Sequence, residues 1–469
     1  MTVRSIIDSI LSGVAYVVIA YTIYCVYQTF ASTTTIPFPE SNSNISIFWS
    51  APFLSGGGYC SEAMSLVKAL DKRGFDVHIQ QHGDSVNQGF INGVDPQDQA
   101  VLWRLINKRK RSHGDIVIEV CHSEPGAWKP ASFSTSPCPL FSSRHSYHIG
   151  RTMFETDRLP EGWLKKLDSM DEVWVPSTFM KTIFEEGGAT NVHVIGESVD
   201  TVFFRPIESL RLHATLSPST DTANSFHVSR KTLIADTFEL HPKFAEKNNV
   251  FLSIFKWEMR KGWDILLDVF FHTFSINDPV SLIIITQEYH ETQSITDQVN
   301  QFILQSFSAS QRTLLPHYFI LTQYVPETYL PYIYNLATAV VLPTRGEGWG
   351  RVAQEAMSCG VPVITTGYGG ALTFIHEANA FLVPIQGFSE IKEGAFSGHR
   401  LVEPNRTEVA RCMKEVLDHP EKAKQKGKRA RQDMVNEYSE EAFGAILERE
   451  FRRIGRVMWQ KQQADNSEL

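Results

Sequence analysis

Two glutamates occur in and after a glycine-rich turn in the segment PTRGEGWGRVAQEAMSCGVPV, which occupies residues 343–363. Glu347 lies inside the turn, and Glu355 follows eight residues later in a segment that fits a helix. A retaining glycosidase holds its two carboxyl groups about 5–5.5 Å apart, whereas eight residues of helix rise about 12 Å. The spacing therefore argues against a hydrolytic acid–base pair and favours contacts with two parts of one extended ligand. For Glu355 taken alone, a solvated helix face is the competing interpretation.

Positive charge collects in a second segment, FKWEMRKG at residues 255–262, which follows an apolar run typical of a strand. Lys256, Arg260 and Lys261 would gather at the end of that strand, where they can donate charge-assisted hydrogen bonds to phosphate oxygens. Such a cluster is otherwise typical of a solvated surface. A nucleotide sugar fits both segments, with the basic residues at its diphosphate, Glu347 near the sugar hydroxyls and Glu355 accepting from the ribose diol.

Both segments need strands that end at the same edge of a sheet. Around the glutamates the pattern is a strand at 339–342, a turn with Gly348 and Gly350, a helix at 352–358 and a strand from 361. Ligands of open α/β sheets bind beyond the carboxyl ends of the strands, which is where Glu347 falls. Glycines in the turn let backbone amides approach a ligand, and the helix presents free N–H groups to negative charge.

Strand and helix patterns alternate through most of the chain. Strands are predicted at 45–50, 76–81, 115–121, 147–154 and 172–176, and again at 250–255, 281–286, 318–322, 339–343 and 361–366. A polar, turn-rich stretch at 207–247 separates the two groups as a linker or insertion. The alternation predicts an α/β protein with two Rossmann-like, doubly wound domains, at 45–206 and 248–436, that face each other across a cleft. A C-terminal helix and tail follow at 437–469.

The N-terminal segment carries no charged residue from position 9 to position 39. A membrane-spanning helix needs about 20 apolar residues, so residues 9–30 are predicted to be an uncleaved transmembrane anchor, with a tail at 1–8 and a stem at 31–44. A buried core helix is the alternative. Arg4 weakly favours a cytoplasmic tail. The expectation is a single-pass membrane protein whose catalytic domain faces the lumen of the Golgi or endoplasmic reticulum, with glycosylation sequons at Asn44 and Asn405.

Composition excludes some classes of protein. The net charge of −8 argues against a nucleic-acid partner, because such proteins usually carry a basic bias. The six cysteines include no CxxC pair and no Cys/His spacing of a zinc site. No metal site is therefore predicted from them.

With these segments in order, the chain resembles the retaining family 4 glycosyltransferases of GT-B architecture, the glycosyl transferases group 1. Glu347 and Glu355 match that family's E-x7-E element, and Gly369-Gly370 after PVITT resembles its next element. The segments WVPSTF and VHVIGESVDTVFFRP resemble the strand and loop that end the family's first domain. The resemblance extends from about residue 45 to residue 453. It implies retaining transfer of a hexose or pentose from a UDP- or GDP-linked donor to an acceptor hydroxyl on a glycan, lipid or protein, without a cofactor or an obligatory metal ion.

The resemblance also implies roles for individual residues. Lys256 and Lys261 match the pair that grips the donor diphosphate, although the family usually has Arg where this chain has Lys256. Glu347 matches the residue next to the transferred sugar, and Glu355 matches the ligand of the ribose. The other donor-binding residues that the resemblance implies are Gly57 and Gly58 in a first-domain loop and Gly348, Trp349 and Gly350 in the glycine-rich turn.

The chain departs from the family at one position near the expected cleft. Where many relatives carry a histidine after the strand predicted at 147–154, this chain has Glu155. His122, at the end of the preceding predicted strand, is the other candidate, although a lone histidine is more often structural. Glu155 and His122 therefore join Glu347 and Lys261 as candidate catalytic residues, with roles in acceptor orientation or proton transfer.

Two other function classes compete. A non-catalytic, membrane-anchored module that binds nucleotide sugars or glycans would keep the same donor-binding residues, and donor turnover would distinguish it from an enzyme. A hydride-transferring oxidoreductase would need a dinucleotide fingerprint, but SGGGYCSEA at 55–63 lacks the G-x-G-x-x-G spacing.

Overall fold

The computed structural model describes residues 41–108, 116–142, 146–207, 249–287 and 293–467, together with residues 19, 21–23 and 38. Within these ranges the chain forms two six-stranded parallel sheets with helices packed on them. The predicted α/β class with two Rossmann-like domains is confirmed. Residues 208–248, which hold nearly all of the predicted linker, lie outside the described residues.

The first sheet has the strand order β2-β1-β3-β4-β5-β6. Its strands are β1 (Ile45–Ala51), β2 (Asp76–Gln81), β3 (Ile116–His122), β4 (Ser146–Arg151), β5 (Glu172–Val175) and β6 (Val192–Val194). The helices of this domain are α1 (Gly58–Lys72), α2 (Gln88–Gly93), α3 (Pro96–Ile106), α4 (Leu164–Leu167) and α5 (Thr178–Glu186). Strand β1 is buried along its whole length, as expected for a central parallel strand that is covered on both faces.

The second sheet has the order β12-β11-β10-β7-β8-β9. Its strands are β7 (Asn249–Lys256), β8 (Val280–Gln287), β9 (His317–Leu321), β10 (Ala339–Leu342), β11 (Val363–Thr366) and β12 (Phe381–Val383). An antiparallel ribbon follows, β13 (Ile385–Glu390) and β14 (Arg400–Pro404). The helices are α6 (Trp263–Thr273), α7 (Ile295–Ser306), α8 (Ala309–Arg312), α9 (Leu330–Leu336), α10 (Arg351–Ser358), α11 (Arg406–Asp418) and α12 (Pro420–Glu437). Strands β7 and β10 are adjacent, so the segment with Lys261 and the segment with Glu347, which follow them, lie at the same edge of the sheet.

The last helix, α13 (Glu440–Ser467), returns from the second domain to the first. Its buried residues Phe443, Leu447, Phe451, Ile454 and Met458 belong to the apolar core formed by β1, β3 and α1. In the other direction, Val199 and Phe204 follow β6 but lie in the core of the second domain. The chain after β6 thus packs into the second domain, and helix α13 packs into the first domain. The two domains are interlocked through these buried contacts.

The structure also differs from the sequence patterns in detail. Strand β4 ends at Arg151, so Glu155 lies in a loop and not directly after a strand that reaches residue 154. The β13–β14 ribbon was not predicted, because its residues alternate between partly buried and exposed and carry no strong apolar run. Cys121, at the end of β3, forms a disulfide with Cys138 that the cysteine spacing did not indicate.

The localisation expected from the sequence requires correction. No helix within the described part of the chain combines the length and the apolar character needed to cross a membrane. This finding contradicts the expectation of a single-pass membrane protein of the Golgi or endoplasmic reticulum. Of the predicted anchor at 9–30, only residues 19 and 21–23 are described, as exposed helical residues, and the rest lies outside the described residues.

A tight turn at Gly262 gives the first testable expectation. Gly262 has a φ of 72°, and a Cβ built there would lie 2.1 Å from the carbonyl oxygen of Pro343. Gly162 has a φ of 82°, and a Cβ added there would meet no described atom within 4 Å, so Gly162 is a matched control. Gly162→Ala should cost about 1–2 kcal/mol from the left-handed backbone alone. Gly262→Ala should lower the thermal unfolding midpoint clearly further, because the backbone of the turn must also move away from Pro343.

Equal losses of stability in the two variants would contradict the close approach of the Gly262 turn to the end of β10.

Candidate active site

The loops after β7 and β10 bring Lys261 and Glu347 into direct contact. Lys261 Nζ donates to Glu347 Oε1 at 2.8 Å and to Oε2 at 2.9 Å. Both side chains keep some access to solvent, with 20% and 17% of their surfaces exposed. Burial by itself would raise the pKa of Glu347, but Lys261 and Arg260 outweigh it and lower the pKa below its ordinary value. The site therefore holds an anionic carboxylate beside an ammonium group.

Arg345 fixes the two loops relative to each other. Its guanidinium donates to both carboxylate oxygens of Asp264 at 2.7 Å and to the carbonyl oxygen of Met259 at 2.6 Å. A further hydrogen bond from Nε to Glu403 Oε1 measures 2.8 Å. Only 6% of Arg345 is exposed, and these partners raise its pKa although burial opposes them. The turn that carries Lys261 is thus tied to the turn that carries Glu347.

Glu155 reaches this site from the first domain. Its Oε1 lies 3.3 Å from Nη2 of Arg260, which also donates to Glu258 at 2.7 Å. Arg260 Nη1 donates to the carbonyl oxygen of Gly346 at 2.8 Å and lies 3.8 Å from Glu347. The structure therefore brings Glu155, Glu347 and Lys261 together around the guanidinium of Arg260, one of the basic residues that the sequence pattern placed at the donor diphosphate.

The β13–β14 ribbon holds the first-domain segment that carries Glu155. Arg400 donates its backbone N–H to Asp157 Oδ1 at 2.7 Å and its Nε–H to Oδ2 at 2.9 Å. Thr156 Oγ1 and His399 Nδ1 are 2.7 Å apart and buried. These contacts with the ribbon thus hold the two residues that directly follow Glu155.

The glycine-rich turn packs closely against neighbouring loops of both domains. A Cβ on Gly348 would lie 2.8 Å from Met153 Sδ, and one on Gly370 would lie 1.7 Å from the Gly348 carbonyl oxygen. Gly350, with a φ of 106°, precedes the first residue of α10. Trp349 is 1% exposed and donates its indole N–H to Gln354 Oε1 at 3.1 Å, so it lies in the core beneath the turn and not at its surface.

The predicted first-domain loop faces the second domain. A Cβ on Gly57 would lie 3.5 Å from Lys256 Nζ, so the loop before α1 and the last residue of β7 are neighbours. Gly58 begins α1, and a Cβ there would meet no described atom within 4 Å. Lys256 and the amino end of α1 both place positive charge or N–H groups on this part of the cleft.

His122 lies behind the cleft and is fully enclosed. Its Nδ1 accepts from Trp49 Nε1 at 3.1 Å, so the ring proton is on Nε2, which lies 3.0 Å from Glu62 Oε2. Burial lowers the pKa of His122 despite the neighbouring carboxylate. Glu62 is further held by Arg151, whose Nε donates to Oε1 at 2.6 Å. The histidine thus belongs to a buried network, and the structure does not bring it to the surface of the cleft.

Glu355 lies one helical turn into α10, away from the Lys261–Glu347 pair. Tyr334 donates its hydroxyl to Glu355 Oε2 at 2.8 Å, and Arg351 Nε lies 3.9 Å from Oε1. Burial raises the pKa of Glu355, and Arg351 and Tyr334 only partly offset this. Arg351 was missed by the sequence analysis, although its place four residues before Glu355 puts both on one helix face.

Glu197, in the loop after β6, is the other residue that the sequence patterns did not indicate. It is 1% exposed, and its Oε2 accepts from Arg351 Nη1 at 3.2 Å. Burial, reinforced by Glu62, raises the pKa of Glu197 to about 8, although Arg351 and Arg151 act in the opposite direction. A carboxyl group that exchanges its proton near neutral pH therefore lies at the seam between the domains.

Among the described residues, no group of three or more His, Cys, Asp and Glu side chains has the arrangement of a metal site. The expectation that no metal ion is required stays a prediction.

Comparisons with known proteins agree with this architecture. Residues 236–433, which cover most of the second domain, match the family Glycosyl transferases group 1. A D-inositol 3-phosphate glycosyltransferase of Frankia alni is 44% identical over 50 residues, and an O-antigen chain mannosyltransferase B of Escherichia coli is 54% identical over 41 residues. These segments are 11% and 9% of this chain, and they span only 12% and 11% of the two relatives.

Solved structures share the fold over nearly the whole described chain. Sucrose-phosphate synthase from Thermosynechococcus elongatus has a TM-score of 0.57 at 15% identity, covering 88% of this chain and 99% of that one. HepE from Anabaena, in complex with UDP and glucose, has a TM-score of 0.58 at 14% identity, covering 87% and 99%. The solved structures show the shared two-domain fold, and the family match covers most of the second domain alone.

The buried position of Glu197 predicts a pH dependence of stability. Because the pKa of Glu197 is about 8 in the folded protein and near 4.5 in an unfolded chain, the folded state binds the extra proton between these values. The contribution of this group to the free energy of unfolding is therefore complete below pH 4.5 and is lost as the pH rises to about 8. Glu197→Gln should flatten the fall of the thermal unfolding midpoint over this range.

Glu186→Gln, at an exposed position of α5, is the control and should follow the wild-type profile. Parallel profiles for wild type and Glu197→Gln would contradict the raised pKa.

Proposed function

We propose that this protein, as a member of the glycosyl transferases group 1, transfers a sugar from a UDP- or GDP-linked donor to an acceptor hydroxyl on a glycan, lipid or protein, with retention of anomeric configuration. The observation that carries the proposal is the contact between Lys261 and Glu347 at the carboxyl ends of β7 and β10. Ligands of such sheets bind at this edge. The UDP and glucose in the HepE complex, together with the sucrose-phosphate synthase, support a nucleotide sugar as the donor class.

The charges of the site suit a sugar joined to a diphosphate. Lys261 is hydrogen-bonded to Glu347, and its ammonium group can also donate a hydrogen bond to a phosphate oxygen. Lys256, on the adjacent end of β7, adds a second ammonium group, and both would stabilise the negative charge that grows on the leaving diphosphate. Glu347 remains anionic and can accept hydrogen bonds from hydroxyls of the transferred sugar.

In the proposed reaction, the bond between the anomeric carbon and the β-phosphate oxygen breaks as the acceptor oxygen bonds to that carbon on the same face. The leaving diphosphate takes the proton of the acceptor hydroxyl, so no side chain has to act as a strong base. This assignment agrees with the enclosed position of His122, which has no open path to an acceptor. The protein contributes by orienting both substrates and by balancing charge.

Glu155 is the residue that we assign to the acceptor side. Its carboxylate is 25% exposed and lies across the cleft beside Arg260, within the same group of charges as Glu347. A carboxylate in this position can accept a hydrogen bond from an acceptor hydroxyl and orient it. Closure of the domains over both substrates would exclude water and limit hydrolysis of the donor.

The decisive experiment measures release of nucleoside diphosphate from a panel of UDP- and GDP-sugars with the purified protein. At least one donor should be turned over, and Glu347→Ala should reduce the rate about 100- to 1,000-fold, because a group that stabilises the reacting centre is lost. Lys261→Ala should have a similar effect. Glu161→Ala and Lys165→Ala, at exposed positions of the first domain, serve as matched controls and should leave the rate unchanged.

Binding of UDP or GDP without release from any donor would instead support the non-catalytic binding module. Full activity in Glu347→Ala would refute the assignment of this glutamate.

A further inference from the structure

Arg351 joins the two domains at the first turn of α10. Its Nη1 donates to Glu197 Oε2 and to the carbonyl oxygen of Ser198, each at 3.2 Å. Glu197 and Ser198 follow β6 of the first domain, and both are buried. The first domain therefore holds Arg351, which lies on the same helix as Glu355.

Glu355 is held by a residue of the second domain. The hydroxyl of Tyr334 donates to Glu355 Oε2 at 2.8 Å, which fixes that oxygen. The other oxygen, Oε1, lies 3.9 Å from Arg351 Nε, too far for a direct hydrogen bond. Arg351 thus attracts this oxygen electrostatically and leaves its lone pairs available to another donor.

Three buried polar atoms at this seam have no hydrogen-bond partner among the described residues. They are Arg351 Nε, Glu197 Oε1 and Ser198 Oγ. Buried polar groups are nearly always hydrogen-bonded, so these three atoms are able to take a polar partner. Together they offer one N–H donor, one carboxyl acceptor and one hydroxyl that can donate or accept.

The charge of the seam determines which ligand fits. Three buried carboxyl groups, Glu62, Glu197 and Glu355, lie near two guanidinium groups, that of Arg151, which is buried, and that of Arg351, which is partly buried. Burial raises the pKa of both Glu197 and Glu355, and at Glu197 the neighbouring Glu62 adds to this effect. Both guanidinium groups already have carboxyl partners, so an anion such as phosphate would find no unmatched positive charge here, whereas a neutral diol can donate to carboxyl oxygens and accept from Arg351 Nε.

We propose that Arg351 is a positioning residue, held by Glu197 and Ser198, that orients Glu355 toward the ribose hydroxyls of a nucleoside diphosphate. The inference rests on the proposed function, because it concerns one part of the same donor. It makes recognition of the ribose depend on both domains, since the first domain holds the guanidinium and the second supplies the carboxylate. Docking of the domains and ribose binding are then coupled.

The test measures the affinities of UDP, GDP and their 2′-deoxy forms for the full chain by calorimetry. Wild type should bind the better ribonucleotide about 10- to 100-fold more tightly than its 2′-deoxy form, as expected for a hydrogen bond to a charged group. Above about pH 8, where Glu197 is ionised, Glu197→Gln and Arg351→Met should each lower thermal stability, because each leaves a buried charge without its partner. The double variant removes both charges and should recover much of that stability, but it should not recover the preference for the ribose form.

Glu172→Gln combined with Arg453→Met is the matched control. This pair joins β5 to α13 with a nitrogen–oxygen distance of 2.7 Å, away from the cleft, and its loss should leave both affinity and preference unchanged. In turnover assays, the Arg351 variants should raise KM for the donor while kcat changes little.

Two outcomes separate this inference from the proposed function. If wild type prefers the ribose form and the Glu197→Gln/Arg351→Met double variant keeps the same preference, the role of Arg351 is refuted and the function stands. Equal binding of ribose and 2′-deoxy forms by wild type would also refute this inference alone. If wild type binds neither UDP nor GDP, both proposals are refuted.

Discussion

The buried guanidinium of Arg345 is the constraint on which the candidate active site depends. It contacts Asp264 at the start of α6, the backbone before Lys261, and Glu403 on β14. Burying a charge is costly unless it is paired and hydrogen-bonded, and here each contact comes from a different element. The turn that carries Lys261 and the turn that carries Glu347 are consequently fixed to one another. Two long charged side chains can then form a short contact that would contribute little if both were free on a surface.

A second set of contacts builds the site across the domains. Glu155 meets Arg260 on one side of the cleft, and Glu197 meets Arg351 on the other. In both pairs the first domain supplies a carboxylate and the second domain supplies a guanidinium. These contacts between carboxyl and guanidinium groups therefore stabilise the docked arrangement, while the interlocked segments after β6 and at α13 keep the domains from acting as independent units.

The sequence predicted those parts of the molecule that depend on local patterns. Lys261 and Glu347 could be placed at strand ends because each directly follows an apolar run, and adjacent parallel strands end at one edge. The relation of Arg351 to Glu197 could not be predicted, because their separation of 154 residues is bridged only when the domains pack. His122 also follows a strand, but whether such a side chain faces a cleft or a core depends on packing by Trp49 and Glu62. The apolar run at 9–30 met the length of a membrane span by composition alone, yet the described helices include none that could cross a bilayer.

The β13–β14 ribbon has a consequence for how the two lobes could separate. It belongs to the second domain but grips the first through Asp157 and Thr156, next to Glu155. Any hinge motion that parts the lobes must either break these bonds or drag the ribbon along with the first lobe. The hydrogen bonds of the ribbon therefore oppose separation of the lobes at the segment next to Glu155.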